Sequence, residues 1–385
     1  MLSVAVITAN PIAAEGIDQI VADSGIFNIV FRGSPDELPT RDVLRAIGMQ
    51  DPELIFLDLS KWDSVEVLAQ QIKERGSRGI MIGFRQSWNR LEQLTFEEAG
   101  INYLLREPFS AAEMETMAYE TLHKEKGVTN SNILAFLPAK AGGGCSTVAL
   151  HTAAGLAKSF PKNVLLIEGD RRSGVYSIML NLDGRQGLDN ALALGSSLTP
   201  GEWHQHVERI DGFHLLPANR KRRSPLPSWA DYYQLLRYAQ KQYDYLLIDL
   251  PEVVNEATAE AVRSARTVFI VCTPELTSLK MARFRAEELE ACEIPSDRIQ
   301  VVINRLERGA DAKDLEEMIE RPVFWTLPND YGELNGAVLE SRLASPESAF
   351  SESCRALARK LGGLPEEPPE RSRFALLRKL SRIAG

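Results

Sequence analysis

The chain has 385 residues, with 53 acidic side chains against 44 basic ones, a formal charge of −9, and 44% apolar and 25% charged residues. That length suits two domains, since single cores stop growing near about 250–300 residues, and the acidic balance excludes a protein that coats nucleic acid over its whole surface. The four cysteines, Cys145, Cys272, Cys292 and Cys354, show no metal-ligand spacing and fit a reducing cytoplasm; neither a signal-peptide start nor a run of about 20 apolar residues is present.

Within residues 1–124, short apolar runs (SVAVIT, FNIVF, ELIFLDL, GIMIGF, INYLL) alternate with amphipathic segments. Five such β/α alternations predict an α/β fold with a parallel sheet covered on both faces. Size and order resemble a receiver domain of the flavodoxin-like type. Asp58 ends the third strand, where a receiver carries its phosphorylated Asp, and Glu107, Pro108 and Phe109 echo the Lys-Pro-Phe that follows the fifth. The acidic pair that would hold Mg²⁺ after the first strand is replaced by Thr8, Ala9 and Asn10. The fourth strand ends in Gly83-Phe84 where a Ser or Thr is expected, and the receiver Lys is replaced by Arg106 or Glu107. Without those ligands the charge of phosphoryl transfer has little compensation. The expectation is a degenerate receiver-like domain used for docking or dimerisation. A polar linker over 125–132 follows.

The second domain, residues 133–362, opens with ILAFLPAKAGGGCSTVALH: an apolar strand, a glycine-rich turn, then a helix. This order makes a phosphate cradle, because backbone N–H groups and the positive end of a helix converge on one anion. Gly142, Gly143 and Gly144 let the backbone approach a polyphosphate closely, and Ser146 and Thr147 supply hydroxyls where a P-loop places its Mg²⁺ ligand. Further apolar runs (NVLLIEGD, FHLLPA, YDYLLIDLP, TVFIVCTP, IQVVINRL, VFWTLP) predict a doubly wound sheet, with ligands beyond the strand C-termini. Asp249 ends the fourth of the domain's apolar strands, a Walker B-like placement for a carboxylate that holds Mg²⁺ through water.

The string K-A-G-G-G-C-S-T from Lys140 resembles the deviant P-loop K-G-G-x-G-K-T-T of the MinD/ParA ATPases. The resemblance implies a P-loop NTPase domain that binds ATP and Mg²⁺ and forms a homodimer in which Lys140 reaches the partner's phosphates. Cys145 stands where the family has its second Lys, so binding is expected with weak or absent hydrolysis. The resemblance also makes Asp170 the residue that positions the attacking water, and gives Ser146, Asp249 and Glu168 the Mg²⁺ shell. It implies that Asn304 and Arg305 contact the adenine and that Pro328 and Asn329 lie beside it; an Asn at 304 equally suits capping the following turn. A reactive thiol at Cys145 is the rival reading, since a helix N-terminus lowers a thiol pKa, yet His151, a candidate base, is more than a turn away.

Several longer strings, VFIVCTPELTSLKMAR, VVINR, LPNDYGEL and SRL, resemble the CpaE/TadZ branch of that family. This implies a role in assembly and polar placement of Flp/Tad-type pili, with pilus or secretion assembly proteins or a polar landmark as partners. NRKRR, residues 219–223, lacks aromatic interleaving or a helix-turn-helix pattern, so it reads as solvated and DNA is not an expected partner. A ParA-like DNA-partitioning ATPase is the alternative that would use it. Residues 363–385 hold a Pro-rich spacer and a basic tail in which Phe374, Leu377, Leu380 and Ile383 recur at helical spacing, a pattern that suits an anionic membrane surface or a protein face. The expected location is cytoplasmic, peripheral to the inner membrane or cell pole. A tyrosine autokinase is disfavoured because the tail has no tyrosine. A scaffold without nucleotide is disfavoured by the retained Gly142, Gly144, Ser146, Asp170 and Asp249.

Overall fold

The computed structural model describes residues 1–101, 103–125, 132–182, 186–218, 226–253, 255–307 and 309–364. The basic run 219–223, the linker residues 126–131 and the tail 365–385 lie outside the described residues. The chain forms two compact units: Met1–Thr129 with Gly195–Ser197 and Ala230–Leu235, and Asn130–Leu194 with Leu198–Trp229 and Leu236–Gly385.

In the first unit, strands β1 (Leu2–Ile7), β2 (Phe27–Gly33), β3 (Leu54–Asp58), β4 (Ile80–Arg85) and β5 (Tyr103–Arg106) alternate with helices α1 (Pro11–Ser24), α2 (Thr40–Gln50), α3 (Trp62–Glu74), α4 (Arg90–Glu98) and α5 (Ala111–Glu125). The five strands are parallel in the order β2-β1-β3-β4-β5, the order of flavodoxin-like doubly wound sheets. Ala5, Ile7, Ile55 and Leu57 pack beneath Val43, Leu44, Ile47, Val65, Leu68 and Ile72 of α2 and α3. The i, i+3, i+4 recurrence of these residues is what makes both segments amphipathic helices.

The second unit carries an eight-stranded sheet in the order β13-β12-β11-β6-β10-β7-β9-β8. Its strands are β6 (Ile133–Pro138), β7 (Val164–Glu168), β8 (Glu208–Ile210), β9 (Phe213–Leu216), β10 (Tyr245–Asp249), β11 (Thr267–Cys272), β12 (Ile299–Leu306) and β13 (Val323–Pro328). The helices after α5 are α6 (Cys145–Ser159), α7 (Tyr176–Met179), α8 (Leu188–Leu194), α9 (Pro200–His206), α10 (Trp229–Gln242, of which Ala230–Leu235 belong to the first unit), α11 (Glu256–Ser264), α12 (Leu276–Ala291), α13 (Ala312–Ile319), α14 (Tyr331–Leu339) and α15 (Ala349–Leu361). All pairings are parallel except β8 with β9, an antiparallel edge hairpin absent from the sequence reading. Its turn, Asp211-Gly212, has positive φ at both residues, the two-residue hairpin geometry that Asp-Gly favours.

β6 lies inside the sheet between β10 and β11 and is buried along its whole length. Helix α6, which follows it, is buried on nearly every side, from Val148 through Leu156. The reason is a second helix layer: α15 lies so close that a Cβ at Gly155 would come within 3.1 Å of Arg355 Cα and Ala358 Cβ. Burying Val148, Leu150 and Leu156 completely contributes about 1.5–3 kcal/mol each, so the helix carrying the glycine turn is among the firmest parts of this unit. Among the described residues no helix is long and apolar enough to cross a membrane.

His151 joins α6 to the segment ahead of α15. Its Nδ1 meets Thr147 O at 2.8 Å, and its Nε2 accepts from Ala344 N at 3.1 Å. The neutral ring with the proton on Nδ1 satisfies both contacts. Burial holds the His151 pKa below its ordinary value; the Thr147 carbonyl and Glu333 oppose this, and Lys158 adds slightly to it. The unfolded chain therefore takes up a proton near about pH 6.5 that the folded chain refuses, and stability falls as pH drops below that point. We expect the urea midpoint of the wild type to decline as pH falls below about 6.5 by more than that of His151→Gln. Parallel pH profiles would contradict this.

Candidate functional site

The turn after β6 is shaped by its glycines. Gly142 and Gly144 have φ of 81° and 84°, a left-handed conformation that residues with a Cβ adopt only with strain. Ala139 N donates to Val271 O at 2.9 Å, which leads the loop over the end of β11, and Gly143 N donates to Lys140 O at 3.3 Å. Gly144 caps α6 without a side-chain acceptor. Among the described residues, the amides of Gly142, Gly144, Cys145, Ser146 and Thr147 have no protein acceptor. The last three are first-turn helix donors, which have no intrahelical partner. An array of outward N–H groups at the positive end of a buried helix fits a polyphosphate.

Lys140 is exposed at the start of this loop. Ala141 N donates to Glu252 Oε2 at 3.0 Å, a contact absent from the sequence reading. Glu252 lies three residues past the end of β10, so a carboxylate braces the loop from outside.

Beneath the loop sits a buried polar cluster. Asp249, at the end of β10, is 3% exposed, with the Ser146 and Tyr176 hydroxyls and the Cys145 thiol beside its carboxyl. Burial pushes its pKa up to about 7, and the Glu168 carboxylate adds to the rise; the three donors oppose it. Tyr176 is completely buried, and its hydroxyl also lies 3.0 Å from Ser146 O, where it donates. It ties the loop helix to the Asp249 strand, a role no local pattern in the sequence announces. Burial and the neighbouring Asp249 hold the Cys145 thiol well above its ordinary pKa, which removes the thiolate that covalent chemistry needs.

The remaining residues divide between this mouth and its surroundings. Asp170, just past β7, is half-buried and its Oδ1 accepts from Arg172 N and Ser173 N at 3.0 and 2.8 Å. Glu168, expected in the Mg²⁺ shell, has its two oxygens engaged by backbone amides: Tyr176 N at 2.8 Å and Ala218 N at 2.7 Å. It ties the end of β7 to α7 and to the residues after β9, and burial raises its pKa despite those donors. Asn304 and Arg305 end β12, two strands from β6 or about 10 Å. Asn304 is 3% exposed and donates to the loop itself, Nδ2 to Gly143 O at 2.9 Å. Pro328 and Asn329 lie one strand further out; Asn329 N donates to Leu306 O at 3.1 Å and its Nδ2 to Glu307 Oε1 at 2.7 Å.

The donors present fit Mg²⁺ in one specific way. Ser146 lies beside Asp249 and lowers its pKa, while no three His, Cys, Asp or Glu side chains among the described residues cluster to cage a metal. One hydroxyl with one carboxylate behind it suits an ion that keeps several waters and takes its other ligands from phosphates.

In the first unit, Asp58 is 4% exposed; its Oδ2 accepts from the Thr8 hydroxyl at 2.6 Å and its Oδ1 from Ser60 N at 2.9 Å. Glu107 has a raised pKa, from burial and then from Asp58. Thr8 thus covers the carboxylate where a receiver would place acidic metal ligands, and Glu107 adds negative charge where it would place a Lys.

No family model matches the sequence. The septum site-determining protein MinD of Synechocystis sp. is 25% identical over 240 residues, 59% of this chain and 89% of that protein. A ParA family ATPase of Chlorobium tepidum superposes with a TM-score of 0.54 at 21% identity, covering 59% of this chain and 98% of its own. MinD in a MinC:MinD cell division complex of Aquifex aeolicus gives 0.51 at 21% identity, covering 62% and 99%. The fold is that of these solved structures, and the sequence is similar to MinD.

Proposed function

We propose that this chain is a relative of the MinD and ParA ATPases, binds ATP with Mg²⁺ at the glycine turn and dimerises when loaded, with weak or absent hydrolysis. The observation that carries this reading is the set of unpartnered amides at Gly142 and from Gly144 to Thr147, with the Ser146 hydroxyl and the Asp249 carboxyl beside each other below them. Amides and helix end would cradle the phosphates, Ser146 and Asp249 would hold the metal, and the metal would offset phosphate charge. Asp170 has one oxygen committed to its own turn, which orients the other for a water. The weak hydrolysis follows from Cys145, which cannot neutralise the β- and γ-phosphates as an ammonium does.

Lys140 is exposed at the rim, which supports a reading in which its ammonium serves a second copy. Because the nucleotide would contact both subunits, binding and dimerisation stabilise each other. Sedimentation with and without Mg·ATP tests this: the wild type should shift to a dimer, and Lys140→Ala should bind nucleotide but remain monomeric. A Lys140→Ala protein that still dimerises on ATP would sink the shared-lysine part of the reading.

The narrower proposal is a localisation or assembly factor for Flp/Tad-type pili. It is supported by the longer strings that resemble the CpaE/TadZ branch and by the receiver-like order of the first sheet. The MinD relative solved with a protein partner, MinC, supports a protein as the target. The DNA-partitioning alternative depends on residues 219–223 and would show as salt-sensitive DNA binding that rises with ATP.

A further inference from the structure

Both ends of the Asn304 carboxamide are committed. Nδ2 donates to Gly143 O at 2.9 Å, and Oδ1 accepts from Arg305 N at 2.9 Å. The second contact comes with a distortion: Arg305 has φ 57°, and the pairing of β12 with β13 slips between Ile303 and Leu306. A non-glycine residue in the left-handed region is strained, and this strained residue is the one whose amide meets the Asn304 side chain. The fit is also tight from above, because a Cβ at Gly144 would collide with Asn304 Nδ2.

We infer that Asn304 is a positioning residue of the phosphate loop: it clamps the Gly143 carbonyl from β12 and so aims the Gly144 amide into the cradle. The physical link is the planarity of the peptide between Gly143 and Gly144. In a trans peptide C=O and N–H point in opposite directions, so a carbonyl held down toward β12 turns the next N–H up and away from it. Two glycines without side-chain constraints would otherwise sample several orientations of that plane. With Cys145 in place of a lysine, more of the phosphate contact falls on the amides, and their direction matters more. One Nδ2 hydrogen and one Oδ1 lone pair remain beyond these two contacts, so the test has to separate a loop clamp from a base reader.

This inference rests on the nucleotide reading above, and its test separates the two. Calorimetric titrations of wild type and Asn304→Ala with Mg·ATP, Mg·GTP and Mg·tripolyphosphate compare ligands with different bases and with none. A loop clamp predicts that Asn304→Ala weakens all three by a similar factor, about tenfold for one lost hydrogen bond, with the ATP:GTP ratio unchanged. Asn304→Asp, which keeps the Arg305 contact but loses the donor to Gly143, should show the same pattern, and it serves if the alanine variant does not fold. Thermal midpoints without ligand report any general loss of stability separately. Weakening confined to ATP, with tripolyphosphate binding intact, would make Asn304 a base reader and overturn the inference. Wild-type protein that binds none of the three would overturn the nucleotide reading and the inference with it.

Discussion

Gly144→Ala should lower Mg·ATP affinity by roughly 10- to 300-fold while leaving the eight-stranded sheet folded. Two costs add at this position. A left-handed φ of 84° strains any residue with a Cβ by about 1–2 kcal/mol. The new methyl would also collide with Asn304 Nδ2 and break its bond to Gly143 O, worth about 0.5–1.5 kcal/mol. Relaxing the loop to escape the strain turns the Gly144 and Cys145 amides away from the cradle, so affinity is lost by either route. Gly142→Ala is the internal comparison. Its φ of 81° carries the same strain, but a Cβ there meets nothing within 4 Å, so its loss should be smaller. Equal effects at the two glycines in calorimetry would show that contact with Asn304 contributes nothing.

Cys145→Lys should act in the opposite direction, raising Mg·ATP affinity by about 10- to 100-fold and bringing measurable hydrolysis. Charge-assisted hydrogen bonds contribute about 1.5–3 kcal/mol each, and an ammonium here would meet developing charge on the transferred phosphoryl group. The thiol that it replaces is 5% exposed and faces Asp249. A lysine is too long and too polar to remain in that pocket alone, so it would extend over the loop toward the phosphates. Cys145→Ser separates charge from the mere removal of sulfur and should leave affinity near wild type. If Cys145→Lys binds no tighter, the loop does not hold phosphates in the orientation proposed.

The sheets were legible because buried parallel strands are written as continuous apolar runs. LLIEGD, YDYLLID and TVFIVC could hardly be anything else in a chain of this length. The short strand Glu208–Ile210 escaped because its side chains are partly exposed and it has only three residues, although the Asp211-Gly212 turn was present as a signal. The glycine loop and Ser146 stand out for a different reason, because a phosphate cradle needs glycines and a hydroxyl at a fixed local spacing, whereas Asp249, far along the chain, stands out by its place at the end of an apolar strand. What stayed hidden was which atom each side chain meets. Glu168 and Asp58 are both acids at the ends of buried strands, and both are met by protein donors. Sequence alone does not distinguish a carboxylate awaiting a metal from one already held by amides or a hydroxyl. Tyr176 and Glu252 were missed because their partners lie far away in sequence, across a sheet that must fold first.

Titration calorimetry of Mg·ATP into the wild-type chain measures the central claim most directly. The account predicts saturable binding of one nucleotide per chain that is lost when Mg²⁺ is chelated. A flat titration with correctly folded protein would contradict it.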